Sequence, residues 1–300
     1  MLKLFRLKLC LFALFHLFTV FVASASAAKS ANEIDMYIRD DLFVDFQAFV
    51  AGRDVHEIKS FSGYRMRRDV VDMVLALQAL KLGGFDKGFN YQIGKVTLRN
   101  TNILERGKQL LSFDTYWYAD AEKISEYAYI SEPVFRKGEY LAGVFAHPEN
   151  RKVFNINSLE DFTKFTSIST PRWHADWETL KSLKLKKLYQ DDEWLQQIRA
   201  VDKKWADFVL LPFMPAVNNH YKLHSLELLA VPGIALTFND SRHFVVSKNH
   251  PDGQDAYLAL QKGLAILSEQ KRIKSAYIEA GFIPEKGSVK VLNSELINKD

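Results

Sequence analysis

The 300-residue chain predicts an α/β protein of two lobes joined by two strands. Segments with strand alternation and segments with helical spacing succeed one another along it, as in α/β folds. In mid-sequence, Tyr127–Ala146 holds a turn at Ser131-Glu132-Pro133 and then a strand-like run from Val134 to Phe145. Pro133 lacks an N–H and biases Glu132 towards extended geometry, which gives the turn a physical cause. Around Gly233–Ser247 a second extended run leads back to helices. A chain that crosses once and crosses back has two lobes, with a ligand cleft between them.

Taken in order, Ile34–Arg39 reads as a strand followed by the acidic pair Asp40-Asp41, and Val44–Tyr64 shows no clean period and reads as mixed loop. Arg67–Leu82 sets Val70, Val71, Val74, Leu77 and Leu80 on one helical face, and Gly83-Gly84 stops it. Phe89–Val96 alternates as a strand, Thr101–Leu111 is helical, and Phe113–Ala119 is an aromatic-rich strand. The second lobe starts near His147-Pro148. Ser158 reads as a helix cap with Asp161 at the third position. Phe165–Thr170 is a short strand, Ala175–Leu183 and Asp191–Asp202 are helices, and Asp207–Leu211 has the continuous apolar character of a strand buried on both faces. Tyr257, Leu260, Leu264 and Leu267 form a helical stripe, and Ala276–Ala280 is the last helical turn. The sheets are expected to be largely parallel.

With 48% hydrophobic and 25% charged residues the chain has ample core-forming material. Residues 1–27 differ from the rest. Lys3, Arg6 and Lys8 precede a nearly unbroken apolar run, Leu9–Val22, and then Ala23-Ser24-Ala25-Ser26-Ala27. That is the layout of a cleaved secretory signal peptide, with a cut after Ala27 or Ala25. A membrane anchor is the alternative, but the run is at the short end for a bilayer and ends in small residues. Cys10 has the wrong neighbours for a lipoprotein cysteine. Cleavage would take the 40 Lys and Arg to 37 against 36 Asp and Glu, so the net charge falls to +1 and nothing asks for nucleic acid. Cys10 would leave too, so the mature chain has no intrachain disulfide.

Several stretches together resemble the type II periplasmic solute-binding proteins, especially the amino-acid-binding branch of ABC transport, over roughly Arg67 to Gly281. Ser131-Glu132-Pro133-Val134-Phe135-Arg136-Lys137-Gly138-Glu139 resembles that family's serine–acidic–proline–aromatic segment before its first crossing. Asn157-Ser158-Leu159-Glu160-Asp161-Phe162 followed by Thr166–Thr170 looks like its start of lobe two, and Trp205-Ala206-Asp207-Phe208-Val209-Leu210 resembles its small-residue–Asp strand. His243-Phe244-Val245-Val246-Ser247-Lys248-Asn249-His250-Pro251 is similar to its return strand. The resemblance implies a two-lobed type II periplasmic binding protein-like fold with two hinge strands, near 138–145 and 233–245. Lobe one would be 28–140 with 240–300, and lobe two 141–239. It further implies a periplasmic monomer that captures an amino-acid-like or anionic ligand by lobe closure and delivers it to an inner-membrane ABC permease, with no cofactor and no catalytic group. The alternatives are a sensor member reporting to a membrane receptor, and an enzyme on the same fold. Two departures stand out. Glu122-Lys123 occupies the region where the family's carboxylate-clamping Arg lies, and Pro212-Phe213 stands where an ammonium-binding Asp would be.

The candidate ligand contacts are seven. Thr170, Arg172 and Trp173 follow a strand and lead into a helix, where N–H groups, a hydroxyl and a guanidinium suit an anion. Trp117 and Tyr118 would supply an aromatic wall, but strand alternation sends them to opposite sides. Arg39 could replace the absent clamp, or pair with Asp40 or Asp41. Tyr64, with Arg65, precedes a helix and could reach the cleft. His220 and His224 share a helical spacing without the Glu of a zinc-protease motif, so no metal is expected there. His174, Asp176 and Glu178 read as a solvated helix start.

Overall fold

The computed structural model describes residues 33–63, 66–94, 100–213, 220–223 and 225–297. Strand β1 (Glu33–Arg39) buries Ile34, Met36 and Ile38 on one face, as its alternation predicts. The next segment differs from expectation: α1 (Asp40–Val50) is a helix, followed by a short 3₁₀ turn at Val55–Glu57. Asp40 and Asp41 lie in its first turn, where carboxylates favour the helix dipole, and Leu42, Phe46 and Phe49 form its buried stripe. The stripe is hard to read in the sequence because Val44 is exposed and Asp45 is buried.

Helix α2 (Arg68–Gly83) is buried on every side from Asp69 to Leu80 and ends at Gly84, whose φ of 98° lies in the left-handed region. Then come β2 (Gly88–Gly94), α3 (Asn100–Glu105), β3 (Tyr116–Trp117), α4 (Tyr118–Glu122) and β4 (Ala128–Ile130). Helix α3 is shorter than expected, and the aromatic strand shrinks to two residues, with Tyr118 and Ala119 in α4. The Val134–Phe145 run likewise becomes a strand only at β5 (Leu141–Ala146). A 3₁₀ helix at Glu160–Lys164 reverses the expected cap, since Asp161 Oδ2 accepts from Asn157 N, Ser158 N and Ser158 Oγ at 3.2–3.3 Å.

The chain continues through β6 (Thr166–Ser169), α5 (His174–Ser182), β7 (Lys187–Gln190), α6 (Trp194–Asp202) and β8 (Val209–Pro212). A hairpin, β9 (His220–Leu223) and β10 (Leu226–Ala230), leads to β11 (Ile234–Thr237), β12 (Arg242–His243) and β13 (Val245–Ser247). Helices α7 (Gly253–Glu269) and α8 (Arg272–Glu279) and strand β14 (Lys290–Val291) complete the described elements.

Strand pairing corrects the expectation of largely parallel sheets. Strand β5 is antiparallel to β8, β10 and β11, while β12 pairs β3 and β13 pairs β4, both antiparallel. Parallel pairs among the described residues include β6 with β7 and β11 with β14. Strands β5 and β11 run in opposite senses, with Leu236 opposite Ala142 and Thr237 opposite Leu141.

The main core is built around α2 and α7, and a second apolar cluster joins α6, β8 and β10. Two glycines let α2 and α7 approach backbone to backbone. A Cβ on Gly83 would sit 1.8 Å from the Ala259 carbonyl oxygen, and one on Gly263 would sit 1.8 Å from that of Ala79. Gly263→Ala gains at most about 1 kcal/mol of helix propensity, whereas forcing atoms into a packed interface costs about 1–3 kcal/mol or more. Urea unfolding is therefore expected to show net destabilisation; an unchanged or raised midpoint would show that the two helices can part freely.

Candidate functional site

The site begins at the N-terminal turn of α2. Arg39 donates to Asp41 Oδ1 from Nε at 2.9 Å and to Oδ2 from Nη2 at 3.0 Å, and approaches Asp69 at 3.4 Å. Arg67 donates to Asp41 at 2.8 Å, Asp45 at 3.3 Å and Asp69 at 3.0 Å. Partial burial opposes the ionisation of Asp41, but the hydrogen bonds from Arg39 and Arg67 outweigh it and hold the carboxyl well below its usual range. Arg39 is thus engaged by Asp41, one of the two partners that its neighbours in sequence suggested, and by Asp69.

One turn further along α2, Asp72 is fully buried. Its Oδ2 accepts from the N–H and the hydroxyl of Thr115, each at 2.9 Å, and from Arg68; its Oδ1 accepts from the Tyr277 hydroxyl. The Thr115 hydroxyl, having donated to Asp72, accepts from Arg68 Nη1 at 3.1 Å and from Arg242 Nε at 2.8 Å, which uses its whole capacity. Arg242 also donates to the Thr115 carbonyl through Nη2. Its guanidinium carbon lies 4.5 Å from the centre of the Trp117 ring and 5.3 Å from that of Tyr140, which is cation–π geometry.

Arg242 is 7% exposed, and among the described residues no carboxylate lies at ion-pair distance from it. Burial, and then the like charge of Arg68, push its pKa below the ordinary value. Besides Asp72, two carboxyls act on this centre through space. Asp114, beside Thr115, is raised by burial against the pull of Arg68. Asp176, half-buried in the first turn of α5, is raised by burial to about 6, with Arg242 the main opposing charge. Asp176 is therefore not part of a solvated helix start. Nearby, between α4 and α5, a groove of about 430 Å³ is lined by Tyr118, His174, Glu178, Thr237 and Asp240.

The structure gathers some of the predicted residues and separates others. Trp117 faces Arg242, and Tyr118 lines the adjoining groove, with its ring 5.5 Å from that of His243. Thr170 is buried and donates to Asp192. The exposed Arg172 pairs with the same carboxylate at 3.1 Å, and Trp173 is half-buried at the N-terminus of α5. Tyr64 and Arg65 lie outside the described residues, as does His224, while His220 sits on strand β9 facing Glu227 and not on a helix. Sequence reasoning missed Arg68, Asp72, Asp114, Asp176 and Arg242. The available signal was a charge set inside a buried run, as Arg242 is ahead of Phe244-Val245-Val246.

No family model and no curated protein matches the chain. Solved structures do. The periplasmic VFT2 domain of Bordetella pertussis BvgS aligns over 82% of this chain and 92% of its own, at 12% identity and a TM-score of 0.50. Substrate-binding domain 2 of Lactococcus lactis GlnP, in an open conformation, aligns over 83% of this chain and 95% of its own, at 12% identity and a TM-score of 0.50. ArgBP from T. maritima aligns over 83% and 95% at 14% identity, with a TM-score of 0.48. The chain has the two-lobed fold of type II periplasmic binding domains, as its resemblance implied.

The raised pKa of Asp176 gives stability a definite pH dependence. The folded protein keeps this proton up to about pH 6, whereas the unfolded chain releases it near 3.8. The group's contribution is complete below that window and is lost as pH rises through it. Asp176→Asn stays neutral throughout, so the melting-temperature difference between variant and wild type should move in the variant's favour from about pH 4 to about pH 6 and then level off. A constant difference would mean that Asp176 titrates in the fold as it does in the unfolded chain.

Proposed function

We propose that this is an exported solute-binding protein that closes two lobes on a small anionic or zwitterionic ligand at Arg242. Lobe one comprises 28–140 and 240–300, lobe two comprises 141–239, and the antiparallel pair β5–β11 is the hinge. The observation that carries the reading is Arg242 itself: a buried guanidinium without a carboxylate partner. Asp72 and Asp114 act on this charge only through space, and an incoming carboxylate or other anion would offset the cost of its burial with charge-assisted hydrogen bonds. Trp117 and Tyr140 give the ligand an aromatic wall. Asp176, with Asp114, offers an acceptor for an ammonium group, so that a zwitterion would be held at both ends. Arg172 and Trp173 would form the rim at the start of α5, while Thr170 is buried and bonded to Asp192.

Residues 1–27 act in this reading as a cleaved export signal that places the protein in the periplasm, where an inner-membrane ABC permease is its partner. No helix among the described residues is long and apolar enough to cross a membrane. Capture by closure needs no proton transfer, and the Arg242 centre is assigned binding and not catalysis.

A thermal-shift panel of amino acids, dicarboxylates, inorganic anions and polyamines tests this. A ligand at a hundred times its Kd stabilises by about 2.7 kcal/mol, a rise of several degrees for a protein of this size. One class of anionic or zwitterionic hits is expected, lost in Arg242→Gln and weakened in Trp117→Leu, with both variants retaining the wild-type circular dichroism. A panel without hits, or hits that survive Arg242→Gln, would contradict the proposal.

A further inference from the structure

We propose a second binding site, for an amphiphilic anion, in the groove between the Pro133–Glu139 segment and α8. By amphiphilic anion we mean a carboxylate or phosphate head on a short apolar body. The groove encloses about 380 Å³, within the range of small-molecule sites. Its floor is apolar: Val134, Ile273 and Ile283 are buried beneath it. Its rim carries three exposed cations, Arg136, Lys271 and Lys274. None of the three pairs with a carboxylate among the described residues. Glu139, the acidic residue of the lining, turns its carboxylate to the backbone N–H of Arg136 at 2.8 Å.

Three like charges around one concavity repel one another, and an anion among them relieves that repulsion. An inorganic anion would use the rim alone and leave the apolar floor to water. A ligand with an apolar tail covers the floor as well, and burying apolar surface adds roughly 25 cal/mol per Å². The concave shape takes one molecule and does not suit a flat membrane surface. The groove backs onto the Arg242 centre through Phe135, whose ring meets those of Tyr140 and Tyr277 at 5.4 and 4.5 Å. Neither Arg242 nor Trp117 lines it, so the two sites are separable by mutation.

Isothermal titration calorimetry of the exported chain with octanoate and octyl phosphate, below their micellar concentrations, tests the site. One molecule of each is expected to bind per chain. Lys271→Gln/Lys274→Gln, at exposed positions, should weaken both by about tenfold or more. Ile278→Glu, which sets a carboxylate beside the floor, should do the same, while Arg242→Gln should leave both unchanged. Inorganic phosphate and octanol should bind at least about tenfold more weakly than the amphiphilic anions. The proposal is overturned if octanol or inorganic phosphate binds equally well. Affinity that survives both groove variants, or that is lost only in Arg242→Gln, overturns it too, as does binding seen only with phosphatidylglycerol vesicles.

Discussion

The fold is anchored on the need to satisfy one fully buried carboxylate, Asp72. Four hydrogen bonds reach it, from Arg68, from the backbone and hydroxyl of Thr115, and from Tyr277. A buried carboxylate left short of donors would cost several kcal/mol. The requirement therefore ties α2, the approach to β3 and helix α8 to one another. The same bonds orient Thr115, and the oriented Thr115 receives Arg242. Stability and site geometry thus share a network: the residues that close the core also decide where the unpaired guanidinium points.

Under the proposed lobe closure, β5 and β11 would connect this network to movement. Tyr140 directly precedes β5, lies over Arg242, and contacts Phe135 and Phe238. Ser131 works from the other side. Its hydroxyl accepts from Phe244 N at 3.0 Å, and its carbonyl accepts from His243 Nδ1 at 2.7 Å, which leaves Nε2 to accept from the Ser241 hydroxyl. The serine–acidic–proline turn thus holds the return segment at the point where Arg242 emerges. A ligand that engages both Arg242 and α5 would draw together elements on either side of β5 and β11.

Much of the architecture was legible because it rests on local pattern. The β1 alternation, the α2 stripe with its glycine stop, the apolar β8 run and the α7 stripe all carry their own period. The alternation of strands and helices set the class, and the order of the weak motifs set the fold. What was illegible depends on distant partners. Asp72 meets Thr115 and Tyr277 across 43 and 205 positions, and no local pattern marks such a pair. Charges are read as outward-facing by default, which hid Arg68 and Arg242 and made Asp176 look solvated. Helix α1 was masked by an exposed valine and a buried aspartate in its stripe. Trp117 suited a ligand wall or core packing equally well in the sequence, and in the fold its ring lies against Arg242, whereas the Arg172 guanidinium lies beside Asp192, a partner that the sequence did not suggest.

The central claim is that Arg242 receives the anionic group of a ligand as the lobes close. The most direct measurement is heteronuclear NMR of the arginine side chains during titration with the compound that most stabilises the protein. The account predicts a saturable shift of the Arg242 Nε–H resonance, slowed solvent exchange of that proton, and little change at Arg39 and Arg67. A saturating ligand that leaves Arg242 unmoved while shifting other arginines would contradict it.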